Sequence, residues 1–485
     1  MPKESIGNDA IKLTTSKVVT LIVSFITAML LSRMLTLKEY GTYSQIQVVV
    51  NLTTVIFMLG LPNSINFFLA RAETNKEREQ FLSVYYTFTT LLSIIVGLFL
   101  VYLTPKIVDF FDNKLLNNFI YVLAIFPWAR IIISSIENIL VVYKKTSLIV
   151  WFRVSNSISL LGIILIVHFF NLAFSVYMFL FIIVEALFAI IVYIIVKDLS
   201  KRLKVNIDIA YIKKILLFSI PIGLSSIIGT INITLDKLMI GNFLDTEQLA
   251  IYTNASREMP VTIIASSLTA VLLPQLVRFL KQKENDKAIS IWGNASVLSY
   301  SIICIFATML IIFSPEVITL LYSEKYLPGV PVFIIYSLVL LLRFTYFGMI
   351  LNALGKTKFI LYSSIISLIL NIILNYVLFL IFGTIGPAIA TLLSQLFVNA
   401  IQLIYTSNFI KVSFFRIFPW KVLSMITIIN MILGFLFKYI KGYLNINIVY
   451  GDILEIVFLG IVWLTVYIFI FAKELKKQWE ALNRL

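Results

Sequence analysis

Long apolar stretches recur along the whole chain and are separated by short polar loops. About fourteen of them are long enough to cross a bilayer, because a helix of ~20 apolar residues rises ~1.5 Å per residue and spans the ~30 Å hydrocarbon core. We therefore predict an all-α polytopic membrane protein. The predicted spans are 12–34, 42–70, 81–103, 116–142, 147–169, 173–196, 214–241, 248–275, 289–313, 329–354, 357–382, 385–409, 417–438 and 452–472.

The distribution of charged residues follows the alternation of apolar stretches and polar loops. Of the 485 residues 60% are hydrophobic and only 13% are charged, yet the net charge is +15. Nucleic acid is not indicated as a partner, because the basic residues are spread over many loops instead of one face. Most of them fall in every second loop, and the positive-inside rule places those loops, with Lys3 and Arg484 near the two ends, in the cytoplasm. The alternate loops hold Lys38, Lys106, Lys114, Lys325, Lys438 and Lys441.

The longest basic loop, 197–213, separates two sets of six predicted helices. The segment Leu35–Gln45 aligns without gaps on Leu244–Asn254, and Lys145-Thr146 matches Lys356-Thr357 at nearly the same spacing. Because six helices per repeat is an even number, both copies enter the membrane from the same side, as a parallel pseudo-repeat. The prediction is an N-lobe (1–196), a basic cytoplasmic linker (197–213), a pseudo-equivalent C-lobe (214–409) and a C-terminal helix pair (410–485).

Polar residues follow one side of the seventh predicted helix. Two rows of residues at helical spacing run along it. One row comprises Ser219, Gly223, Ser226, Thr230 and Thr234 and ends in Lys237, and the neighbouring row comprises Ser225, Gly229 and Asn232 and ends in Asp236. Helix–helix packing explains any single Ser or Thr of this stripe. The width of the stripe and its charged end favour a face that lines a water-filled cavity.

Ionisable residues at membrane depth are costly and mark candidate functional sites. The cations are Arg33, Arg130, Lys237, Arg257 and Arg343, whereas Arg153 is expected to extend its side chain to the inner surface. The carboxylates deep enough to bind a coupling ion are Glu137, Glu185, Asp236 and Glu258, although a structural pairing explains each of them equally well. Arg130, Ser134 and Glu137 share one helix face, where a purely structural ion pair is an equally good interpretation.

Motifs of soluble enzymes and metal sites are missing from the sequence. There is no phosphate loop, dinucleotide fingerprint, HExxH or nucleophile elbow, and the single Cys304 and the single His168 offer no ligand set for a metal. We therefore expect no enzyme activity, no cofactor and no metal.

The whole chain resembles the polysaccharide-transporter family of Wzx-type flippases, within the superfamily that also contains multidrug exporters (the MOP superfamily). The residues that carry this resemblance are Leu31-Ser32-Arg33-Met34-Leu35, Glu39-Tyr40-Gly41-Thr42-Tyr43, Leu59-Gly60-Leu61-Pro62-Asn63-Ser64, Phe218-Ser219-Ile220-Pro221, Asp236-Lys237, Ile240-Gly241 and Ala353-Leu354-Gly355-Lys356-Thr357-Lys358.

The resemblance implies a MATE-like fold and a flippase for polyprenyl-pyrophosphate-linked oligosaccharides in the bacterial cytoplasmic membrane, working by alternating access. The implied partners are this lipid-linked substrate, membrane lipids, a coupling H⁺ or Na⁺, and a polysaccharide polymerase and glycosyltransferases. A pyrophosphate needs cations in a low-dielectric cavity, which Arg33, Lys237, Arg257 and Arg343 would supply; Arg130 is a further candidate that the resemblance does not fix. Helices thirteen and fourteen would form a groove for the prenyl tail.

Three other functions compete with this one. A cation-coupled drug exporter of the same superfamily usually relies on carboxylates in the first lobe, but here the first two spans hold no acidic residue inside the membrane. A membrane-embedded enzyme is disfavoured by the short outward loops. A non-transporting scaffold for glycosyltransferases would have no use for charges at membrane depth.

Overall fold

The computed structural model describes residues 6–444 and 451–483, so Lys3 and Arg484 of the charge pattern lie outside the described residues. By its internal contacts the chain divides into two compact units, Met1–Ile251 and Tyr252–Leu485. The predicted division at 197–213 rests on a sequence repeat and stays a prediction.

The described part of the first unit, residues 6–251, contains eight α-helices and most of a ninth. They are α1 (Ile6–Met34), α2 (Leu37–Met58), α3 (Leu61–Arg71), α4 (Asn75–Phe111), α5 (Ile120–Val142), α6 (Thr146–Phe169), α7 (Phe174–Ser200), α8 (Ile209–Phe243) and α9 (Thr246–Ala255), which runs across the boundary. Helix α8 packs along α2, α3 and α4.

The second unit contains the remaining helices of the described chain. They are α10 (Ile263–Lys281), α11 (Asn285–Ile312), α12 (Ser314–Leu321), α13 (Val330–Leu340), α14 (Met349–Ala353), α15 (Thr357–Phe382), α16 (Gly386–Ile410), α17 (Phe414–Ile417), α18 (Trp420–Leu444) and α19 (Gly451–Asn483). Its apolar core surrounds the fully buried Trp292 and Trp463.

Eleven stretches of the described residues are long and apolar enough to cross a membrane, or twelve if the bent pair α2–α3 is one span. One of the eleven, Thr357–Ile410, contains both α15 and α16. These helices confirm the predicted all-α polytopic membrane protein.

The second predicted span is not one continuous helix. Helices α2 and α3 meet at a bend of 42°, where Leu59 and Gly60 have φ values of 46° and 73°. Left-handed backbone interrupts the helical hydrogen bonds, and Pro62 then lies in the first turn of α3, where its missing N–H has no partner to lose. The prediction of an unbroken helix over 42–70 is therefore wrong at this point.

Two further predicted spans are interrupted, and both interruptions lie in the second unit. The span 248–275 loses its α-helix between Ala255 and Ile263, where Pro260 opens a short 3-10 turn. The span 329–354 loses its α-helix over residues 341–348, a segment without proline. Prediction of continuous helices at these two positions is also wrong.

A close backbone contact fixes the bend between α2 and α3. A Cβ atom on Gly223 of α8 would lie 2.2 Å from the carbonyl carbon of Leu59, and one on Gly60 would lie 2.7 Å from the amide nitrogen of Gly223. Only glycine fits at both positions, because the opposing atoms belong to the backbone and cannot rotate away.

A buried network of polar side chains ties the first turns of α2 to the start of α9. The Asn113 amide donates to Thr42 Oγ1 at 2.8 Å and to Gln45 Oε1 at 2.7 Å, and Gln45 Nε2 donates to Thr246 Oγ1 at 3.1 Å. Each amide therefore has hydrogen-bond partners, which is the condition under which a buried polar network stabilises a fold.

We expect Gly223→Ala to lower the free energy of unfolding by about 1–3 kcal/mol, because the added methyl group overlaps fixed backbone atoms. Gly229→Ala on the same helix is the matched control, since a Cβ there would meet nothing within 4 Å. That control should leave stability unchanged or raise it by up to about 1 kcal/mol. Scanning fluorimetry of the detergent-solubilised protein measures both, and equal melting temperatures for the two variants would contradict the packing argument.

Candidate functional site

The two interrupted spans of the second unit bring opposite charges together. Arg343, in the segment 341–348, places its Nη1 2.8 Å from Oε1 of Glu258, in the segment between α9 and α10. The side chains are 27% and 52% exposed, respectively. Non-helical backbone at membrane depth is tolerated where it is buried in protein or lines a water-filled cavity. A half-exposed ion pair fits the second situation.

Neighbouring side chains hold the segment around Arg343 in place. Trp292 of α11 donates from Nε1 to Thr345 Oγ1 at 2.8 Å, and the ring of Phe344 packs edge-on against Tyr300 at 4.9 Å between centroids. Asn399 of α16 donates to the carbonyl oxygen of Leu342 at 3.0 Å, which satisfies a backbone group that no helix uses.

Arg257 lies beside Glu258 on the same interrupted segment and is half-buried. Its amide nitrogen donates to the carbonyl oxygen of Asn254 at 3.3 Å, so the chain makes a turn there in place of a helix. The structure therefore brings Arg257, Glu258 and Arg343 into one region of the second unit.

An apolar cavity of about 560 Å³ adjoins this region. Leu341, Leu342, Phe344 and Phe347 line it on the side of Arg343, and polar atoms are a small part of its wall. The other lining residues come from α11, α13, α16, α17 and α18. Among the described lining residues α18 contributes and α19 does not, so this cavity is not a groove between the last two helices.

Arg130, in the first unit, has polar and aromatic partners. It donates from Nη2 to Asn51 Oδ1 at 3.0 Å, and its guanidinium lies 5.3 Å from the ring centroid of Phe126. The buried carboxyl group of Glu185 in α7 is close enough to interact electrostatically with the Arg130 guanidinium. The sequence does not identify Asn51 as the partner of Arg130, because nothing in a sequence shows which helices are neighbours.

Glu137 forms an ion pair with Arg153 of α6 and not with Arg130 on its own helix. Arg153 also donates to Ser16 Oγ at 3.4 Å. The prediction that Arg153 extends to the inner surface stays a prediction, and the structure adds that its guanidinium meets a carboxylate on the neighbouring α5. A structural role is the simplest account of Glu137.

Asp236 and Lys237 lie near the end of α8, and Arg33 lies in the last turn of α1. Asp236 is buried and accepts a hydrogen bond from the Lys237 amide at 2.8 Å, while the Lys237 side chain is half-buried and that of Arg33 is exposed.

The polar stripe of α8 divides into two parts. Ser219 and Gly223 are buried against the bend between α2 and α3, so the prediction of a water-facing surface is wrong for them. Ser225, Ser226 and Gly229 are exposed. The first part serves close packing, whereas the second remains open to a ligand or solvent.

The chemistry available at Arg343 is the binding of a phosphate group. A guanidinium offers a planar fork of donors that matches phosphate or carboxylate oxygens, and Glu258 occupies that fork in this structure. No cluster of three or more His, Cys, Asp or Glu side chains suited to a metal ion occurs within residues 6–444 and 451–483.

Comparison with solved structures concerns the fold. Lipid II flippase MurJ in an inward closed conformation superposes with a TM-score of 0.77 and 20% identity, over 96% of this chain and 99% of that one. An inward-facing multidrug resistance MATE family transporter of the MOP superfamily superposes with a TM-score of 0.67 and 13% identity, over 83% and 98%. Both confirm the predicted MATE-like flippase fold.

Comparison with known sequences concerns the family. The probable low-salt glycan biosynthesis flippase Agl15 of Haloferax volcanii is 25% identical over 215 residues, which are 44% of this chain and 46% of that relative. The chain therefore aligns with less than half of that protein. A family model described as polysaccharide biosynthesis protein matches residues 30–331. Because this match covers more than half of its length, the chain belongs to the family of polysaccharide biosynthesis proteins.

Proposed function

We propose that the protein moves a polyprenyl-pyrophosphate-linked oligosaccharide from the cytoplasmic to the outer leaflet by alternating access, for the synthesis of a cell-surface polysaccharide. Two features of Arg343 carry this proposal: it pairs with a half-exposed carboxylate, and its chain neighbours Leu342 and Phe344 line an apolar cavity of about 560 Å³. A ligand that fits both features has an anionic head and a hydrocarbon tail.

The pyrophosphate replaces Glu258 on Arg343 in this proposal. Removing an ion from water at membrane depth is costly, and a paired arginine avoids the full cost while no substrate is present. A phosphate carries more negative charge than a carboxylate and accepts the same pair of N–H donors, so it competes for the guanidinium. Arg257 lies next to Glu258, the carboxylate that the pyrophosphate would replace. Arg33, Lys237 and Arg130 are the remaining proposed contacts for the head group.

The tail occupies the apolar cavity in the second unit. Burial of each CH₂ group in an apolar environment stabilises binding by about 0.8 kcal/mol when the group leaves water, but a polyprenyl chain leaves lipid instead, so the gain is mostly positional. The tail thus keeps the pyrophosphate next to Arg343 without making release of the lipid prohibitively slow.

The comparisons support this proposal in two ways. The family concerns polysaccharide biosynthesis, and both the partial relative Agl15 and the structural neighbour MurJ carry the word flippase in their names. A polysaccharide polymerase and glycosyltransferases, which consume and supply such a lipid-linked sugar, are the proposed partners.

A cation-coupled multidrug exporter is the second candidate, favoured by the likeness to the MATE transporter. In that case Glu258, Asp236, Glu185 or Glu137 would bind H⁺ or Na⁺. Glu137 and Glu258 are already paired with Arg153 and Arg343, so neither offers a carboxylate whose charge is unbalanced.

We expect Arg343→Gln to weaken the binding of undecaprenyl pyrophosphate by about tenfold or more, because a hydrogen bond to a charged group contributes about 1.5–3 kcal/mol. Arg278→Gln, in the exposed last turn of α10, removes the same charge from the same unit and should leave affinity unchanged. Native mass spectrometry with graded lipid measures both. Equal losses in the two variants would indicate a general charge effect and contradict a site at Arg343.

Glu258→Gln should tighten binding of the same lipid severalfold, because an uncharged amide competes poorly with phosphate for a guanidinium. The gain should vanish when Arg343→Gln is also present, since the two residues act through one contact. A double-mutant cycle on the measured dissociation constants tests this. Independent, additive effects would refute the exchange of carboxylate for phosphate.

Transport itself is tested in proteoliposomes that contain the purified protein and a fluorophore-labelled polyprenyl-pyrophosphate oligosaccharide. We expect the protein to move label between leaflets, measured by access of a membrane-impermeant reductant, and Arg343→Gln to slow the movement while Arg278→Gln does not. Drug exporters would behave differently: a cationic drug would be transported under an H⁺ or Na⁺ gradient, and loss of Arg343 would not impair it. That outcome would replace the flippase proposal.

A further inference from the structure

The segment between α7 and α8 is attached to the side of α4 along an extended stretch of backbone. The Lys204 amide donates to Ser83 Oγ at 3.2 Å, and the Asn206 amide donates to Thr87 Oγ1 at 3.0 Å. Ser83 and Thr87 are four residues apart and share one face of α4. Leu203 packs against the apolar core of the first unit. This linker is therefore a fixed part of the structure and not a free tether.

Helix α4 defines the depth at which the linker lies. Its 37 residues are longer than a bilayer core requires, and the charged residues of its first turn, Lys76 to Glu79, come before the apolar stretch that begins at Phe81. Ser83 and Thr87 thus belong to the first two turns of the apolar part. The attached backbone is therefore expected at the boundary between head groups and hydrocarbon.

Three apolar side chains of the linker point away from the protein. Val205 is 86% exposed, Ile207 is 62% exposed and Ile209, where α8 begins, is 76% exposed. In an extended chain alternate residues share a side, so these three form one apolar edge. An edge of β-branched residues in water would be unfavourable, but at this depth it meets lipid.

The same linker is strongly basic. Residues 197–214 contain the cations Lys197, Lys201, Arg202, Lys204, Lys213 and Lys214 and the acids Asp198 and Asp208. Asp208 caps the first turn of α8 by accepting from the Tyr211 amide at 2.9 Å. Lys201, Arg202 and Lys204 are all exposed beside the apolar edge. Cations next to inserted apolar side chains match the surface of an anionic bilayer.

We propose that residues 201–209 form a membrane-interface strap, whose Val205, Ile207 and Ile209 side chains insert among the acyl chains while Lys201, Arg202 and Lys204 bind anionic phospholipid head groups. The strap lies in the cytoplasmic leaflet, because the basic loops are assigned to that side. A bilayer is favoured over a protein partner because the apolar edge lies level with the apolar turns of α4. The inference is independent of which substrate the protein carries.

Depth measurement by spin labelling tests the proposal on the full-length protein in lipid nanodiscs. A label at Val205→Cys or Ile207→Cys is specific, because the single native cysteine, Cys304, is buried. In discs that contain phosphatidylglycerol we expect both labels to collide readily with oxygen and severalfold less with a water-soluble nickel chelate. A label at Lys144→Cys, exposed between α5 and α6, is the matched control and should collide readily with the chelate.

The role of the cations is tested by Lys201→Gln, Arg202→Gln and Lys204→Gln together. The labels should lie deeper in phosphatidylglycerol than in phosphatidylcholine, and this difference should disappear in the triple variant. Chelate access equal to that at Lys144→Cys in both lipids would overturn the strap. Deep insertion without any dependence on lipid charge would overturn the head-group part of the proposal.

Discussion

Satisfaction of backbone hydrogen bonds inside a medium without water is the constraint on which this structure depends. Helices meet it within each span, so an interruption needs partners from elsewhere. At the bend between α2 and α3 the Asn63 amide donates to the carbonyl oxygen of Gly60 at 3.0 Å, and the Asn138 side chain donates to the carbonyl oxygen of Pro62 at 2.9 Å. Next to Arg343 the side-chain amide of Asn399 donates to the carbonyl oxygen of Leu342. Interruptions that are supported in this way indicate a purpose other than stability, since an unbroken helix would be easier to stabilise.

The ion pairs Arg153–Glu137 and Arg343–Glu258, both on predicted membrane spans, illustrate how different roles arise from one kind of interaction. Arg153 and Glu137 join neighbouring helices α6 and α5, and a regular helix carries each of them. Arg343 and Glu258 both stand on interrupted backbone, and Glu258 is the more exposed partner. A buried pair contributes little net stability, because desolvation offsets the attraction. The first pair therefore fits helix assembly, whereas the second is suited to exchange with a charged ligand.

The sequence predicted the spans well because a long apolar run leaves a chain few alternatives. It did not predict where spans break. The segment 341–348 has no proline, and a glycine such as Gly60 also occurs in many continuous membrane helices. The sequence also did not predict which residues pair with the charged side chains. Glu137 and Arg130 share a helix face, yet each is paired with another helix. Helical periodicity fixes which residues share a face, and only tertiary packing decides what that face meets.

In the linker between α7 and α8, the distribution of basic residues and the need for backbone hydrogen-bond partners both affect the structure. The rule that places basic loops on one side acts during insertion, but it leaves cations wherever the chain returns to that side. An extended segment held there still needs partners for its amides, and Ser83 and Thr87 supply them from the surface of α4. Those hydroxyls follow the charged first turn of α4 along the helix. Hydrogen bonding to them holds the linker backbone where the exposed Val205 and Ile207 side chains are more stable in lipid than in water. Hydrogen bonding, apolar contact and charge then favour the same position of the linker.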